Sequence, residues 1–136
     1  MDEERARAYL SASHRGVLAT LKRDGRPQLS NVSYLLDGDN TIKVSVTKDR
    51  AKTKNLQRDP RVSIECLAAD NWFSYVVVEG RASFIDDERT IPELRRVYRA
   101  IAGKDHPNWE EFDEAMRNER RVVLVIQPER MYGLVR

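Results

Sequence analysis

The residues of this sequence that are best suited to binding a ligand lie in a short basic segment, residues 49–54. It directly follows an alternating strand pattern and opens a predicted helix over about residues 50–58. The free N–H groups and the positive dipole end of a helix N-terminus attract phosphate. A phosphate site is therefore predicted at that end, within reach of Arg50, Lys52 and the hydroxyl of Thr53. Charge count alone leaves open the alternative of a solvated basic helix face.

Charge is segregated along the chain, although the formal net charge is only +2. Residues 48–61 contain six basic and two acidic side chains, whereas residues 86–119 contain ten acidic and six basic ones. Any anion site therefore belongs to the first segment. Within it, Asp49 is the predicted N-cap of the helix. Pro60 ends the helix because the residue before a proline avoids the α region.

A second candidate is the strand predicted from Pro27 through Leu36, which is rich in polar groups for a core strand. Its residues alternate between two faces, with Gln28, Ser30, Val32 and Tyr34 on one face and Leu29, Asn31, Ser33 and Leu35 on the other. Such groups are suited to hydrogen bonding with a heteroaromatic ring. An edge strand or a solvent face would give the same pattern, so both interpretations stay open.

Aromatic residues cluster at the start of a long predicted strand, at Trp72, Phe73 and Tyr75. Aromatic rings in such a cluster can stack on a planar cofactor or close a dimer interface. Plain core packing is the alternative that the residues alone favour.

Several familiar signatures are absent from the sequence. There is no glycine-rich dinucleotide or P-loop fingerprint and no His/Cys/Asp cluster at ligand spacing, so we expect no metal. His14 and His106 have no serine, cysteine or acid neighbours in a catalytic arrangement, and we interpret both as structural. Cys66 alternates with Val62 and Ile64 on a buried strand face, where it would fill the core. We nominate no catalytic residue and expect no nucleic-acid partner, because the net charge is low and no recognition motif occurs.

The elements that must position these residues follow from the hydrophobic periodicity. Strand patterns begin at Gly16 and continue after an Asp24-Gly25 hairpin turn, and others cover residues 41–47, 61–67, 73–85 and 122–126. Helical patterns cover residues 2–12, 50–58, 87–102 and 108–118. In the strand at 41–47, the side chains Thr41, Lys43, Ser45 and Thr47 form a polar face. Six strands without regular βα alternation predict an antiparallel barrel or sandwich with helices packed outside.

Length and composition indicate one globular domain over residues 1–136, with 34% charged and 40% apolar residues. The first residues are acidic where a signal peptide would be basic, and no apolar run approaches the roughly 18 residues of a membrane span. We therefore expect a cytoplasmic protein without a membrane partner.

Six segments carry a family resemblance in their order along the chain, at residues 16–20, 24–32, 49–60, 79–80, 98–103 and 132–134. They resemble the split-barrel flavin-binding superfamily of pyridoxamine 5'-phosphate oxidases. The resemblance is nearly full length and is greatest to the actinobacterial branch of coenzyme F420-dependent reductases. It implies a mainly β protein with flanking helices, a six-stranded antiparallel split β-barrel that forms a homodimer.

The resemblance also implies two cofactor sites at the subunit interface, each built from both chains. In such a site Arg50, Lys52 and Thr53 would hold the phosphate. The ring and ribityl chain would be lined by Gln28, Leu29, Ser30, Asn31, Val32 and Ser45, with Trp72 and Tyr75 at or across the interface.

The implied activity is hydride transfer from reduced deazaflavin to a small unsaturated or planar organic substrate. F420 carries an acidic oligoglutamate tail beyond its phosphate, which suits the basic excess at residues 48–61 better than FMN does. An FMN-dependent enzyme of the pyridoxamine 5'-phosphate oxidase type is one alternative. A non-catalytic carrier of F420 or flavin is the other, since the sequence ranks no proton donor.

Overall fold

The computed structural model describes residues 1–136 as four α-helices and seven β-strands. In chain order these are α1 (Glu3–Ser11), β1 (Arg15–Leu21), β2 (Pro27–Ser33), β3 (Leu35–Leu36), β4 (Ile42–Thr47), α2 (Ala51–Arg58), β5 (Arg61–Leu67), β6 (Tyr75–Ile85), α3 (Thr90–Ala102), α4 (Trp109–Asn118) and β7 (Arg121–Leu134). Every strand pair is antiparallel. The predicted mainly β, antiparallel fold with flanking helices is confirmed, whereas the predicted count of six strands is wrong by one.

The strands form one sheet in the order β2-β1-β5-β6-β7-β4-β3. β2 and β3 lie at opposite ends of this order, although only Tyr34 separates them along the chain. A flat sheet of seven strands would place its two edges about 29 Å apart, at about 4.8 Å per strand. A single connecting residue cannot bridge that distance, so the sheet must curl until its edges approach each other. The result is a half-barrel with an open seam between β2 and β4.

Tyr34 is the residue that divides the strand predicted from Pro27 through Leu36. Its side chain is completely buried, and its hydroxyl donates to the carbonyl oxygen of Leu10 in α1 at 2.8 Å. Its backbone N–H donates to the carbonyl oxygen of His14 at 2.9 Å instead of joining a strand ladder. These tertiary contacts turn the chain at Tyr34, and the alternating pattern of the sequence could not reveal the break.

The interior of the half-barrel contains the main hydrophobic core. Alternate strand residues point inward and pack with Ala6 and Leu10 of α1 and with Leu56 of α2. Cys66 is among these core residues, as predicted, and burial raises the pKa of its thiol to about 12. The predicted core role of Cys66 is therefore confirmed.

A smaller cluster lies on the outer face of the sheet. There Val123 of β7 packs against Leu94 of α3 and Phe112 of α4. Both helices contact β7, and α3 also contacts β4. None of the four helices is both long enough and apolar enough to span a lipid bilayer.

β7 is the element whose length the sequence predicted least well. The prediction ended at Ile126, whereas the strand continues past Pro128 to Leu134. Pro128 lies opposite Gly80, where the register of β6 and β7 shifts after Glu79. A proline without an N–H is tolerated at such an irregularity. A Cβ atom on Gly80 would lie 2.2 Å from the carbonyl oxygen of Gln127, so the close approach requires glycine.

Candidate functional site

A cavity of about 590 Å³ lies at the seam between β2 and β4 and extends beneath α3 and α4. Its polar and charged lining residues are Asn31, Ser33, Ser45, Thr47, Arg50, Lys52 and Arg121. Its other lining residues are Val32, Leu94, Val97, Tyr98, Ile101, Ala102, Phe112 and Met116. The cavity thus has a polar, basic end beside α2 and a predominantly apolar wall formed by α3 and α4.

Incomplete strand pairing keeps this seam open. β3 pairs with β4 only at Ile42 and Lys43, so the rest of β4 has a strand partner on one side only. β2 likewise pairs only with β1. The polar residues Asn31 of β2 and Ser45 of β4 therefore line an unpaired edge, and a ligand can approach strand backbone and side chains together.

Pairing between β4 and β7 selects which side chains reach the cavity. Ser45 lies opposite Val123 and Thr47 lies opposite Arg121, and directly opposed residues share one face of a sheet. Ser45 and Thr47 are therefore on the outer face, beneath the helices that pack on Val123.

Three cations converge at the polar end of the cavity, at Arg50, Lys52 and Arg121. Arg121 is partly neutralised by Glu119, with 2.9 Å between its Nη2 and the Glu119 Oε1. Arg50 and Lys52 form no ion pair. Burial, together with repulsion from Arg50 and Arg121, lowers the pKa of the Lys52 ammonium from its ordinary value. Such an environment favours an anion that restores charge balance.

The N-terminus of α2 adds backbone donors to this end. Arg50 is the N-cap residue, and no side chain caps the helix. The backbone N–H groups of Ala51 and Lys52 have no acceptor in the structure, which leaves them free to bind an anion. The prediction of Asp49 as N-cap is wrong, because its carboxylate instead pairs with Arg120, at 2.9 Å from Nη1 to Oδ2.

Thr53, predicted to contact phosphate, lies outside the lining of the cavity. Its side chain is buried, and its hydroxyl donates to the carbonyl oxygen of Thr47 at 2.8 Å. This bond ties the first turn of α2 to the end of β4. Thr53 therefore fixes the helix start from which Arg50 and Lys52 project.

Asn31 and Val32 line the cavity, whereas Gln28, Leu29 and Ser30 do not. Gln28 accepts a hydrogen bond from the Thr20 hydroxyl at 3.2 Å and donates to the Ser30 hydroxyl at 2.8 Å. The side chains of Gln28 and Ser30 thus bond within the β1–β2 hairpin. Leu29 is 62% exposed on the outer surface.

The aromatic residues Trp72 and Tyr75 do not reach the cavity of the single chain either. Trp72 is 80% exposed, and the neighbouring Phe73 is 65% exposed. Tyr75 opens β6 opposite Leu134, which is also exposed. Core packing, the alternative favoured by the residues alone, does not apply to Trp72 and Phe73.

Sequence reasoning missed Arg121 and the apolar wall. The helical periodicity around Leu94 and Phe112 was recognised, but periodicity does not indicate which part of an apolar face also borders a cavity. No local sequence pattern marks Arg121 as a site residue, because it reaches the site only through the register of β7 on β4. No group of three or more His, Cys, Asp or Glu side chains is placed to hold a metal ion.

Comparison with known proteins covers nearly the whole chain. Residues 2–134 match the family model described as pyridoxamine 5'-phosphate oxidase. An F420H(2)-dependent biliverdin reductase of Mycobacterium tuberculosis is 29% identical over 131 residues, which correspond to 94% of this chain and 85% of that protein.

Solved structures share the architecture. A conserved hypothetical protein from Mycobacterium tuberculosis is similar with a TM-score of 0.78 and 27% identity, over 98% of this chain and 84% of the other. A solved F420 reductase has a TM-score of 0.69 and 22% identity, over 92% of this chain and 94% of its own. At 22% identity the second likeness concerns the fold alone.

Proposed function

The chain belongs to the pyridoxamine 5'-phosphate oxidase family of split-barrel proteins, and from this premise we propose that it is a coenzyme F420-dependent oxidoreductase. Its substrate would be a small unsaturated or planar organic molecule. The observation that carries the proposal is a cavity with unpaired cations at one end and an apolar wall at the other. That arrangement suits a ligand with an anionic group attached to a planar ring system.

The residues at the basic end fit a phosphate group. Arg50 and Lys52 lack acidic partners, and the adjoining N–H groups of α2 lack acceptors. Both features would be satisfied by phosphate oxygens through charge-assisted hydrogen bonds. A neutral ligand would leave the ammonium of Lys52 between two other cations without compensation.

The remainder of the cavity would orient the ring and a substrate above it. Asn31 and Ser45 would hydrogen-bond polar atoms of the cofactor from the unpaired strand edges. Val97, Ile101 and Met116 would exclude water from the reacting face. A bound reduced deazaflavin supplies a hydride, and the contribution of the protein is orientation and a dry environment.

Two considerations favour F420 over FMN as the cofactor. The similar mycobacterial reductase is F420H(2)-dependent by its name. In addition, the free positive charge near α2 exceeds what one phosphate requires, since Arg50, Lys52 and Lys54 all lack acidic partners. A longer anionic ligand would balance this excess.

We also propose that the active form is a homodimer with a cofactor site at each side of its interface. Exposed apolar side chains would pack against the second chain. Four of them lie at the β5–β6 loop and near the end of β7, namely Trp72, Phe73, Tyr132 and Leu134. Exposed apolar side chains that together form a patch commonly mark an interaction site. Trp72 and Tyr75 would then complete the site of the partner chain, which explains their distance from the cavity of their own chain.

A pair of fluorescence titrations tests the proposal directly. Purified cofactor-free protein is titrated with F420 and, separately, with FMN, and the cofactor fluorescence is followed. We expect saturable binding of F420 and weaker binding of FMN. Tight FMN binding without a response to F420 would reject the F420 assignment in favour of an FMN enzyme.

Turnover is tested on the same sample with reduced F420. Oxidation of the cofactor is followed by absorbance with a panel of planar, electron-poor substrates against a substrate-free control. We expect substrate-dependent oxidation by at least one member of the panel. Tight F420 binding without oxidation by any of them would support the carrier function instead.

A further inference from the structure

The predicted ring-binding residues Gln28 and Ser30 of β2 do not line the main cavity, which is the cavity at the seam between β2 and β4. Both side chains are half-buried. They belong to a chain of side-chain hydrogen bonds that begins in α2 and crosses β1 before it reaches β2. We call this chain the Thr20 network; its members are Asn55, Thr20, Gln28 and Ser30.

The hydroxyl of Thr20 is the centre of the network. It accepts a hydrogen bond from the side-chain amide of Asn55 in α2 at 3.1 Å and donates to the side-chain carbonyl oxygen of Gln28 at 3.2 Å. Gln28 lies directly opposite Thr20 in the ladder of β1 and β2 and donates in turn to the Ser30 hydroxyl at 2.8 Å. The network therefore connects α2 with β2 through β1.

The two buried members of the network border the hydrophobic core. Thr20 is 1% exposed and Asn55 is 8% exposed, and their neighbours Leu18 and Leu56 are core residues. A buried polar group costs free energy unless it is hydrogen-bonded. A valine has nearly the same shape as a threonine and would fill position 20 without needing a partner. The hydrogen-bonded hydroxyl therefore indicates a role beyond filling space.

Three side chains of α2 tie the helix to the sheet. Thr53 donates to the carbonyl oxygen of Thr47 at the end of β4. Arg58 donates to the carbonyl oxygen of Leu21 at the end of β1. Asn55 donates to the Thr20 hydroxyl in β1. Only the bond from Asn55 is continued by side chains to β2.

α2 and β2 each contribute residues to the main cavity. Arg50 and Lys52 at the start of α2 line its basic end, and Asn31 and Val32 of β2 line another part of it. β2 has a strand partner only in β1, so backbone bonds do not hold it against α2 or β4. The Thr20 network supplies side-chain hydrogen bonds between these two parts of the site.

We infer that Thr20 is a positioning residue, which holds β2 at the distance from α2 that a single ligand needs to contact both elements. This inference rests on the proposed function, since it assumes a ligand whose phosphate binds at Lys52 and whose ring contacts Asn31. Thr20 itself does not line the main cavity. A ligand that binds at two points gains its full affinity only when the spacing of the two points matches its own. Loss of the network should therefore weaken the complete ligand more than either of its parts.

Four variants separate positioning from stability. Thr20→Val removes the hydroxyl and nearly keeps the shape, whereas Thr20→Ser keeps the hydroxyl. Gln28→Met interrupts the network at a half-buried position and replaces Thr20→Val if that variant does not fold. Val78→Ala is the matched control, because it truncates a completely buried residue of β6 outside the network and the main cavity. Thermal melts establish which variants are folded at the temperature of the binding measurements.

Each protein is titrated with F420, with the deazaflavin riboside that lacks the phosphate, and with inorganic phosphate. Cofactor fluorescence follows the first two ligands, and the ¹⁵N amide shifts of residues 50–53 follow the third. We expect Thr20→Val to bind F420 about three- to tenfold more weakly than the parent, as the loss of one hydrogen bond implies, and both fragments within about twofold. Thr20→Ser and Val78→Ala should bind all three ligands like the parent. An equal loss in Val78→Ala, or no loss in Thr20→Val, would overturn the inference.

Inorganic phosphate also separates failure of the network from failure of the proposed function. Phosphate bound at α2 of the parent should shift the amides of residues 28–32 as well as those of residues 50–53, and in Thr20→Val only the latter. If F420 does not bind the parent, this difference upholds the coupling of α2 to β2 while rejecting the cofactor assignment, and its absence rejects both. If F420 binds the parent and Thr20→Val equally, the inference is wrong and the proposed function stands.

Discussion

The environment of Lys52 is the one that most directly indicates the function of the main cavity, which is the cavity at the seam between β2 and β4. Its ammonium is partly removed from water and lies near two further cations, Arg50 and Arg121, and both effects lower its pKa. A folded protein tolerates such an arrangement best when an anion binds there. The ligand-free site is therefore electrostatically unfavourable, and phosphate binding would relieve it.

Replacing Lys52 by alanine tests this assignment at a single side chain. Loss of one charge-assisted contact should weaken F420 binding by about 1.5 to 3 kcal/mol, measured by fluorescence titration. Lys104→Ala, which removes an exposed cation outside the cavity, is the matched control and should leave the affinity unchanged. Unchanged affinity in Lys52→Ala would mean that the basic face of α2 is merely solvated.

The lowered pKa of Lys52 also predicts how binding depends on pH. A bound phosphate stabilises the protonated ammonium and raises the pKa of Lys52 back toward its ordinary value, so binding takes up protons between the lowered and the ordinary pKa. Affinity should fall as pH rises through the lowered pKa of the free protein. The variant Lys52→Arg retains its charge throughout this range and should show a flatter profile in the same titration.

At the scale of elements, a partly buried ion network holds α3 against the turn between β3 and β4. Lys43 of β4 is 4% exposed, and its ammonium lies 2.7 Å from the carboxylate of Asp37 and 3.2 Å from that of Asp39. Arg96 of α3 binds the same Asp37 carboxylate with both terminal nitrogens. α3 carries most of the apolar wall of the main cavity, so this network fixes the position of that part of the wall.

Removing the shared carboxylate should loosen this attachment. Asp37→Asn leaves the buried ammonium of Lys43 with Asp39 alone and should lower the free energy of unfolding by about 3 kcal/mol, measured by urea denaturation. The control Asp105→Asn removes an exposed partner of Arg99 and should cost less than about 1 kcal/mol. Equal effects of the two substitutions would contradict the role assigned to the Asp37 network.

The same network predicts the acid sensitivity of the fold. Hydrogen bonds from Arg96 and Lys43 lower the pKa of Asp37 below its ordinary value. Its contribution to stability is therefore complete above the unfolded pKa of about 4 and is lost as pH falls through the lower folded pKa. In Asp37→Asn the free energy of unfolding should decline less steeply below about pH 4 than in the parent protein.

At the scale of the whole molecule, the proposed homodimer rests on the exposed apolar side chains near the β5–β6 loop and the end of β7. Trp72 and Phe73 lie at the β5–β6 loop, close to the paired ends of β6 and β7. Tyr132 and Leu134 are exposed near the end of β7, which pairs with the start of β6. A site that needs residues from both chains would lose cofactor affinity whenever the dimer dissociates.

A charged substitution on this surface tests the dimer and its link to binding. Leu134→Glu should shift the protein from dimer to monomer in size-exclusion chromatography with light scattering, because a carboxylate would be buried at the interface. The affinity for F420 should fall when the dimer dissociates. Ala100→Glu places the same charge on an exposed position of α3 and should leave mass and affinity unchanged. A parent protein that is monomeric at micromolar concentration would reject the dimer proposal.

Apart from the division of one predicted strand at Tyr34, the sequence by itself determined the kinds of elements and their order, because helical and strand periodicity depend on neighbouring residues alone. The basic start of α2 and the core position of Cys66 were visible in the same way. The tertiary structure decided the features that depend on contacts between residues far apart in the sequence. Tyr34 is drawn into the core by α1, and Lys43 of the predicted polar face is buried by Asp37. Arg121 faces Thr47 only because β7 adopts that register on β4, and the cavity exists because the curled sheet fails to close between β2 and β4.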